Sequence, residues 1–300
     1  MAARTLVIPG AASGFGLEFA RLAAQRGDNV VMADVEAAAL DRAAAEIAAS
    51  GVAVLAQCVD VSRADQVAAL AAATEARFGA PHWVFNNAGV GAGGLLWEHT
   101  IEDWSWLLGV NLMGVVHGVR AFTPLMLARA AAEPDYRGCI INTASMAGLL
   151  SAPLMGAYNV SKHGVVTLTE TLYQDLKLVT SQISAAVLCP YFVPTGISHS
   201  ERNRPGQFAN ATPRTLSQQV AQMQSEKAVA SGKVSAATLA ARVFAELEEG
   251  RFYLFSHPHA LGNVATRMQD IIEQRNPTDP FAERPEIGAA LRARLSGGDR

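Results

Sequence analysis

The chain has 300 residues, half of them hydrophobic, and only 17% are charged, against about 25% in an average soluble domain. This composition supplies a large core and excludes a disordered chain, a collagen-like repeat and a disulfide mini-scaffold. With 24 basic and 27 acidic residues the formal charge is −3, which leaves no basic excess to neutralise phosphates and argues against a nucleic-acid partner.

Short β-rich runs alternate with longer helical patterns. The first run, at 4–9, leads through a glycine-rich turn into a helical pattern at 14–27; further runs follow at 29–34, 52–59, 82–86, 139–144, 183–189 and 251–255. Helix-like segments fall near 36–50, 64–78, 100–130, 156–180 and 235–249. The runs are continuously apolar rather than alternating, which means burial on both faces. Strands of that kind separated by helices form a parallel sheet with right-handed crossovers. The expected fold is therefore a doubly wound α/β domain of Rossmann type with about seven strands. No linker divides it: residues 1–256 read as one domain and 257–300 as a C-terminal extension.

Two regions break the rhythm. Residues 195–231 are polar and rich in Asn, Ser and Pro, and they follow the sixth strand. Ligands sit beyond the carboxyl ends of such strands, so this insertion reads as a substrate lid, with a plain surface excursion as the alternative. In the tail, Leu261, Val264, Met268, Ile271 and Ile272 recur at helical spacing. They form an apolar stripe expected to pack on the same domain or on a neighbouring subunit.

Cys58, Cys139 and Cys189 each border an apolar run, which reads as buried thiols at strand ends rather than a metal site. His257 and His259 lack a third ligand, so no metal is expected. The N-terminal apolar stretch is too short for a signal peptide, and no run approaches the ~18 apolar residues of a membrane span. The expected location is a reducing cytoplasm, with no membrane partner.

After the first run comes Pro9-Gly10-Ala11-Ala12-Ser13-Gly14-Phe15-Gly16 and then a helix. Glycines let the backbone turn sharply and let a pyrophosphate approach the helix N-terminus, where free N–H groups favour anions. Asp34 closes the second run. An acidic residue there accepts hydrogen bonds from an adenosine ribose and repels a 2′-phosphate, which favours NAD over NADP. The alternative role for Asp34 is an N-cap of the following helix. Tyr158 and Lys162 stand four residues apart on one helical face. An ammonium beside a phenol is expected to lower its pKa from about 10 toward the working range, as a general acid/base needs.

Taken together, these motifs resemble the short-chain dehydrogenase/reductase family, in its classical branch, over residues 4–255. Gly10, Gly14 and Gly16 match its glycine turn, with Ser13 and Phe15 between them. Asp60, with Val61 beside it, matches the acidic residue at the adenine. Asn86-Asn87-Ala88-Gly89 matches the family's NNAG, which steadies the sheet and borders the cofactor. Asn111 matches the helix asparagine of a water-linked proton relay, and Ser145 the catalytic serine. Pro190, Val193 and Thr195 match residues beside the nicotinamide and its phosphate.

The resemblance implies that Tyr158 exchanges a proton with the alcohol, that Ser145 holds its oxygen, and that Lys162 holds the nicotinamide ribose. It departs at Pro9, where the family commonly has a threonine that bonds toward NNAG; proline has neither hydroxyl nor N–H. It departs also at Tyr191, in place of a common glycine.

Gly91, Gly93, Met146, Ala147, Met155, Tyr191 and Phe192 flank the catalytic positions. Their apolar and aromatic character suits a hydrophobic secondary alcohol or ketone. Arg202, Arg204 and Arg214 in the lid are expected to face solvent. Family members are commonly dimers or tetramers, so a homodimer or homotetramer is expected. Two other readings are an NADPH-dependent 3-ketoacyl reductase and a non-catalytic dinucleotide-binding or redox-sensing module.

Overall fold

The computed structural model describes residues 3–296. Its seven strands are β1 (Thr5–Pro9), β2 (Asn29–Asp34), β3 (Val54–Cys58), β4 (Trp83–Asn86), β5 (Gly138–Thr143), β6 (Ile183–Cys189) and β7 (Tyr253–Phe255). They form one parallel sheet in the order β3-β2-β1-β4-β5-β6-β7, with Val7 of β1 opposite both Val31 and Val84. Chain order reverses between β1 and β4, so a crevice opens beyond their carboxyl ends.

The helices are α1 (Gly14–Gln25), α2 (Ala37–Ala48), α3 (Ala64–Phe78), α4 (Ile101–Leu108), α5 (Gly114–Ala132), α6 (Gly156–Val179), α7 (Leu216–Ala230), α8 (Ala236–Glu248), α9 (Leu261–Ile272) and α10 (Pro285–Leu295). Along β1, Leu6 and Ile8 point to one face, where Phe19 of α1 and Phe244 of α8 pack. Val7 points to the other, toward Leu70 of α3 and Phe122 of α5. A strand alternates its side chains, so apolar residues at every position are what two covered faces require. Phe85 stacks on both Phe19 and Phe244, with ring centroids at 4.6 and 5.8 Å, and those two rings also meet at 6.2 Å. Such a buried ring contributes about 1.5–3 kcal/mol.

The edge strand departs from this rule. Most of β3 is only half-buried and Cys58 is exposed, whereas Cys139 and Cys189 are buried. The expectation of three buried thiols is thus corrected: β3 has one strand neighbour, and its open side leaves Cys58 uncovered.

The single helix expected at 100–130 is two helices joined by a π-helical turn, Gly109–Met113, around the fully buried Asn111. Together they make Ile101–Ala132 long and apolar enough to cross a membrane by length and composition alone, a test that core helices also meet. Phe122 and Met126 on that helix are instead buried against the sheet.

Beyond β6 the insertion runs through two short 3-10 turns, Gly196–Asn203 and Gly206–Phe208, before α7. Thr215 and Gln218 form a capping box that starts α7. Arg204 does not face solvent: its side chain is 6% exposed and pairs with Asp103 of α4 at 2.7 Å. Its guanidinium also lies 5.1 Å from the Trp106 ring centroid. Burial of a long cation is tolerated here because a buried carboxylate meets it.

In the tail only Leu261 and Val264 of the apolar stripe pack, against the buried cluster that contains Met146, Val165 and Val187. Met268, Ile271 and Ile272 stay exposed. The turn between α9 and α10 is anchored by Asp270, whose carboxylate accepts the Thr278 N–H and Oγ1 at 2.9 and 2.8 Å. Leu291 of α10 then packs with Leu154, Val220 and Ala221, so the tail lies against the lid of its own chain.

Candidate active site

The turn after β1 is built so that a ligand meets bare backbone. Gly10 and Gly14 have φ of +78° and +54°, which favours glycine at both. A Cβ on Gly10 would stand 2.8 Å from Ala88 Cα, and one on Gly16 would collide with the Gly10 carbonyl. Ser13 makes no side-chain cap and α1 has no acid in its first turn, so the helix presents uncapped N–H groups.

The link that Pro9 cannot make is supplied by Asn87. Its Nδ2 donates to the Gly10 carbonyl and its Oδ1 accepts from Thr143, both at 3.3 Å.

Asp34 accepts the Ala12 N–H at 3.0 Å and the Glu36 N–H at 3.1 Å. Glu36, not Asp34, is the N-cap position of α2. Arg202 reaches from the lid to Glu36 at 2.8 Å and lines the same cleft, so it too is less free than expected. Hydrogen bonding to Asn203, opposed by burial and reinforced by Arg202, holds the Glu36 carboxyl below its ordinary range. Asp60 accepts the N–H and hydroxyl of Ser62 at 2.9 and 2.7 Å. The Val61 carbonyl meets His117 Nδ1 at 2.9 Å.

The reactive side chains come from the turn after β5 and from α6. Lys162 is buried and its Nζ donates to the Thr143 carbonyl at 2.9 Å, 5.7 Å from the Tyr158 ring centroid. Ser145 opens a 3-10 turn, accepting the Ala147 N–H at 3.1 Å. That turn is pressed onto α6: a Cβ on Gly148 would stand 2.6 Å from the Lys162 carbonyl. Close approach of the two backbones places Ser145, whose Oγ donates to the Pro190 carbonyl at 3.4 Å, in one cleft with Tyr158. Leu154, just before α6, is held at φ +61°, a strained value for leucine, with its carbonyl on the Gly94 N–H at 2.8 Å.

Burial pushes the Tyr158 phenol up to about 12, against a smaller opposing pull from Ser145. Burial brings the Lys162 ammonium down to about 8. Burial, the larger cause at Tyr158, acts in the direction opposite to the lowering expected from Lys162. Cys189 is likewise pushed up to about 12 by burial and stays a thiol.

Asn111 does not line the cleft. Its amide is committed to the Val90 N–H and carbonyl, at 2.8 and 2.9 Å, and to Ser161 at 3.1 Å. A Cβ on Gly89 would come within 3.4 Å of Asn111 Oδ1 and 3.6 Å of Lys162 Nζ, so Gly89 marks the gap between them. Gly16 also stands behind the cleft wall. The other sequence candidates line one continuous cleft of about 1770 Å³: Gly10, Ser13, Phe15, Asp34, Asp60, Val61, Asn87, Ala88, Gly89, Ser145, Tyr158, Lys162, Pro190, Val193 and Thr195 toward the dinucleotide end, with Gly91, Ala147, Met155, Tyr191 and Phe192 beyond them.

The Tyr191 and Phe192 rings lie 4.4 Å apart. Sequence reasoning missed the tail residues Arg267, Phe281 and Ile287, which line the far part of the same cleft. Among the described residues no group of three His, Cys, Asp or Glu side chains is placed to hold a metal ion.

Residues 4–206 match the family model of short chain dehydrogenases. A short chain dehydrogenase/reductase from Burkholderia phymatum, solved in complex with NAD, is 49% identical, with a TM-score of 0.90 over 93% of this chain and 98% of that one. The CLA biosynthesis dehydrogenase/reductase of Lactiplantibacillus plantarum is 31% identical, over 91% of this chain and 95% of its own length. The 1-deoxy-11-beta-hydroxypentalenate dehydrogenase of Streptomyces arenae is 34% identical, over 89% of this chain and 87% of its own. With this sheet order, glycine turn and Ser145–Tyr158–Lys162 arrangement, the chain belongs to the short-chain dehydrogenase family, as an oxidoreductase acting on CH–OH groups.

Proposed function

We propose that the protein is an NAD-dependent oxidoreductase of a hydrophobic secondary alcohol or the corresponding ketone. The observation that carries this reading is one cleft holding Ser145, Tyr158 and Lys162 next to a dinucleotide groove whose ribose end is acidic. NAD supplies the hydride acceptor, or its reduced form the donor.

The uncapped N-terminus of α1 holds the pyrophosphate, and Gly10 and Gly16 let the turn pack closely enough on Asn87 and Ala88 to present that end of the helix. Asp34 receives the adenosine ribose hydroxyls, and Asp60 with Val61 borders the adenine. Lys162 reaches the nicotinamide ribose from its anchor on Thr143. Pro190, Val193 and Thr195 close the nicotinamide end.

Ser145 donates its hydroxyl to the substrate oxygen, and Tyr158 Oη receives the alcohol proton or returns it to the forming alkoxide. Asn111 is a positioning residue that fixes Val90 on the cleft wall. The Asp34 carboxylate disfavours NADP, and with it the 3-ketoacyl reductase reading. A pure dinucleotide-binding or redox-sensing module has no use for the Ser145–Tyr158 pair.

We propose further that residues 1–256 are the catalytic domain, with 257–300 as an extension, and that the chain works as a homodimer or homotetramer in the cytoplasm.

Tyr158→Phe tests the assignment. Turnover of secondary alcohols is expected to fall by about 10²–10⁴-fold while NAD affinity, read by fluorescence titration, stays unchanged. Retained turnover overturns the assignment, and faster reduction of NADP than of NAD overturns the cofactor.

A further inference from the structure

The face that α9 turns to the cleft is polar, although its apolar residues were the ones expected to pack. Asn263, Thr266, Arg267, Asp270 and Ile271 line the cleft, at the helical offsets of one face. Leu261 and Val264 of the same helix pack against the buried cluster that contains Ala144 and Met146, on either side of Ser145, so α9 stands on the substrate side. Arg267 lies three residues beyond Val264 and Ile271 seven, so this face runs about 5–10 Å along the helix away from that contact.

Two of the polar residues are already engaged: Asp270 by Thr278 and Arg275, and Thr266 by the Gly262 carbonyl. Arg267 is not. It is half-buried, and among the described residues no carboxylate lies within 4 Å of it. Arg284, Arg294, Glu283 and Glu286 also line the outer mouth, but all four are exposed and their charges cancel.

Resting on the activity proposed above, we propose that Arg267 binds a carboxylate at the end of the substrate remote from the reacting carbinol. The substrate is then an amphiphilic hydroxy or keto acid whose apolar body spans Tyr191, Phe192, Phe281 and Ile287. A half-buried guanidinium engages a carboxylate by a paired, charge-assisted bond that a neutral ester cannot reproduce.

The test compares matched series of secondary hydroxy acids and their methyl esters, of increasing chain length, on wild type, Arg267→Gln and Arg267→Lys. In wild type the acid of best-fitting length is expected to exceed its ester in kcat/KM by about tenfold or more. The difference should be carried by KM. Arg267→Gln should erase that preference by weakening the acid and leave the esters unchanged, and Arg267→Lys should restore part of it.

Equal kcat/KM for acids and esters in wild type overturns the inference and leaves the activity standing, as does a loss in Arg267→Gln that is equal for both series. If neither series is oxidised, the activity itself falls. Calorimetric binding of the acids to wild type and Arg267→Gln then decides the carboxylate site separately: weaker binding to the variant supports it, and equal binding overturns it.

Discussion

Arg204 Nη2 donates to Asp103 Oδ1 at 2.7 Å, and both side chains are almost wholly out of solvent. Asp103 is at the same time the third residue of α4, where it closes a capping box with Thr100. Asn210 of the insertion also donates to Asp103, and accepts from Thr100 Oγ1 at 2.8 Å. The insertion is thus strapped to the N-terminus of α4 through one carboxylate.

Removing the cation leaves that carboxylate buried and under-compensated. Arg204→Met is expected to destabilise the fold by about 3–5 kcal/mol, read from the denaturation midpoint. The second change, Asp103→Asn, should recover much of the loss. Burial acts to raise the Asp103 carboxyl, but His99, Asn210, Arg204 and the Thr100 N–H together hold it well below the ordinary range. A carboxyl depressed in the folded state contributes stability that is complete above its unfolded pKa, about 3.9, and lost as pH falls below it. The wild type should lose more stability than the double variant across that acid window; equal losses would remove Asp103 as the cause.

This strap also shows where sequence reasoning runs out. The seven strands were legible because their runs are continuously apolar, although the edge strand β3 is less buried than its run implies, and Ser145 and Tyr158 because family spacing ties them. Arg204 meets Asp103 across 101 residues, and nothing in the periodicity of either segment records such a pairing. The buried link of Asn86 to Asn142 at 2.8 Å, and of Asn142 to Thr169 at 3.0 Å, was hidden in the same way inside otherwise apolar runs. In α9 the stripe was visible, but which face meets the cleft depended on how the Asp270 turn folds the tail back.

The turn at β1 makes a second prediction. A methyl group at Gly16 must displace the Gly10 carbonyl or push on Asn87 Nδ2, which would stand 2.9 Å away. Overpacking of this kind costs about 1–3 kcal/mol. Because it moves the groups that hold the pyrophosphate, Gly16→Ala should weaken NAD binding by roughly tenfold to hundredfold in a fluorescence titration. Gly206, in the insertion, has open space around its would-be Cβ and no left-handed φ. Gly206→Ala should bind NAD as wild type does. Unchanged affinity in Gly16→Ala would mean that the pyrophosphate lies elsewhere.

The ionisation of Tyr158 sets the pH dependence of the two directions apart. With burial pushing the phenol up to about 12, the proton is on Tyr158 throughout the neutral range. Ketone reduction then has its acid in place, and kcat should be level through neutrality and fall only on the alkaline side. Alcohol oxidation needs the phenolate, so its rate should climb with pH from about 7 to 10. Lys162, brought down to about 8 by burial, loses its charge within the same range and flattens that climb at the top. Lys162→Arg keeps a permanent cation near the ring, so its oxidation limb should rise more steeply above pH 8 than that of wild type, even if its overall rate is lower. An oxidation rate that fell over this range in wild type would take Tyr158 out of the role of base and place the titrating group elsewhere in the cleft.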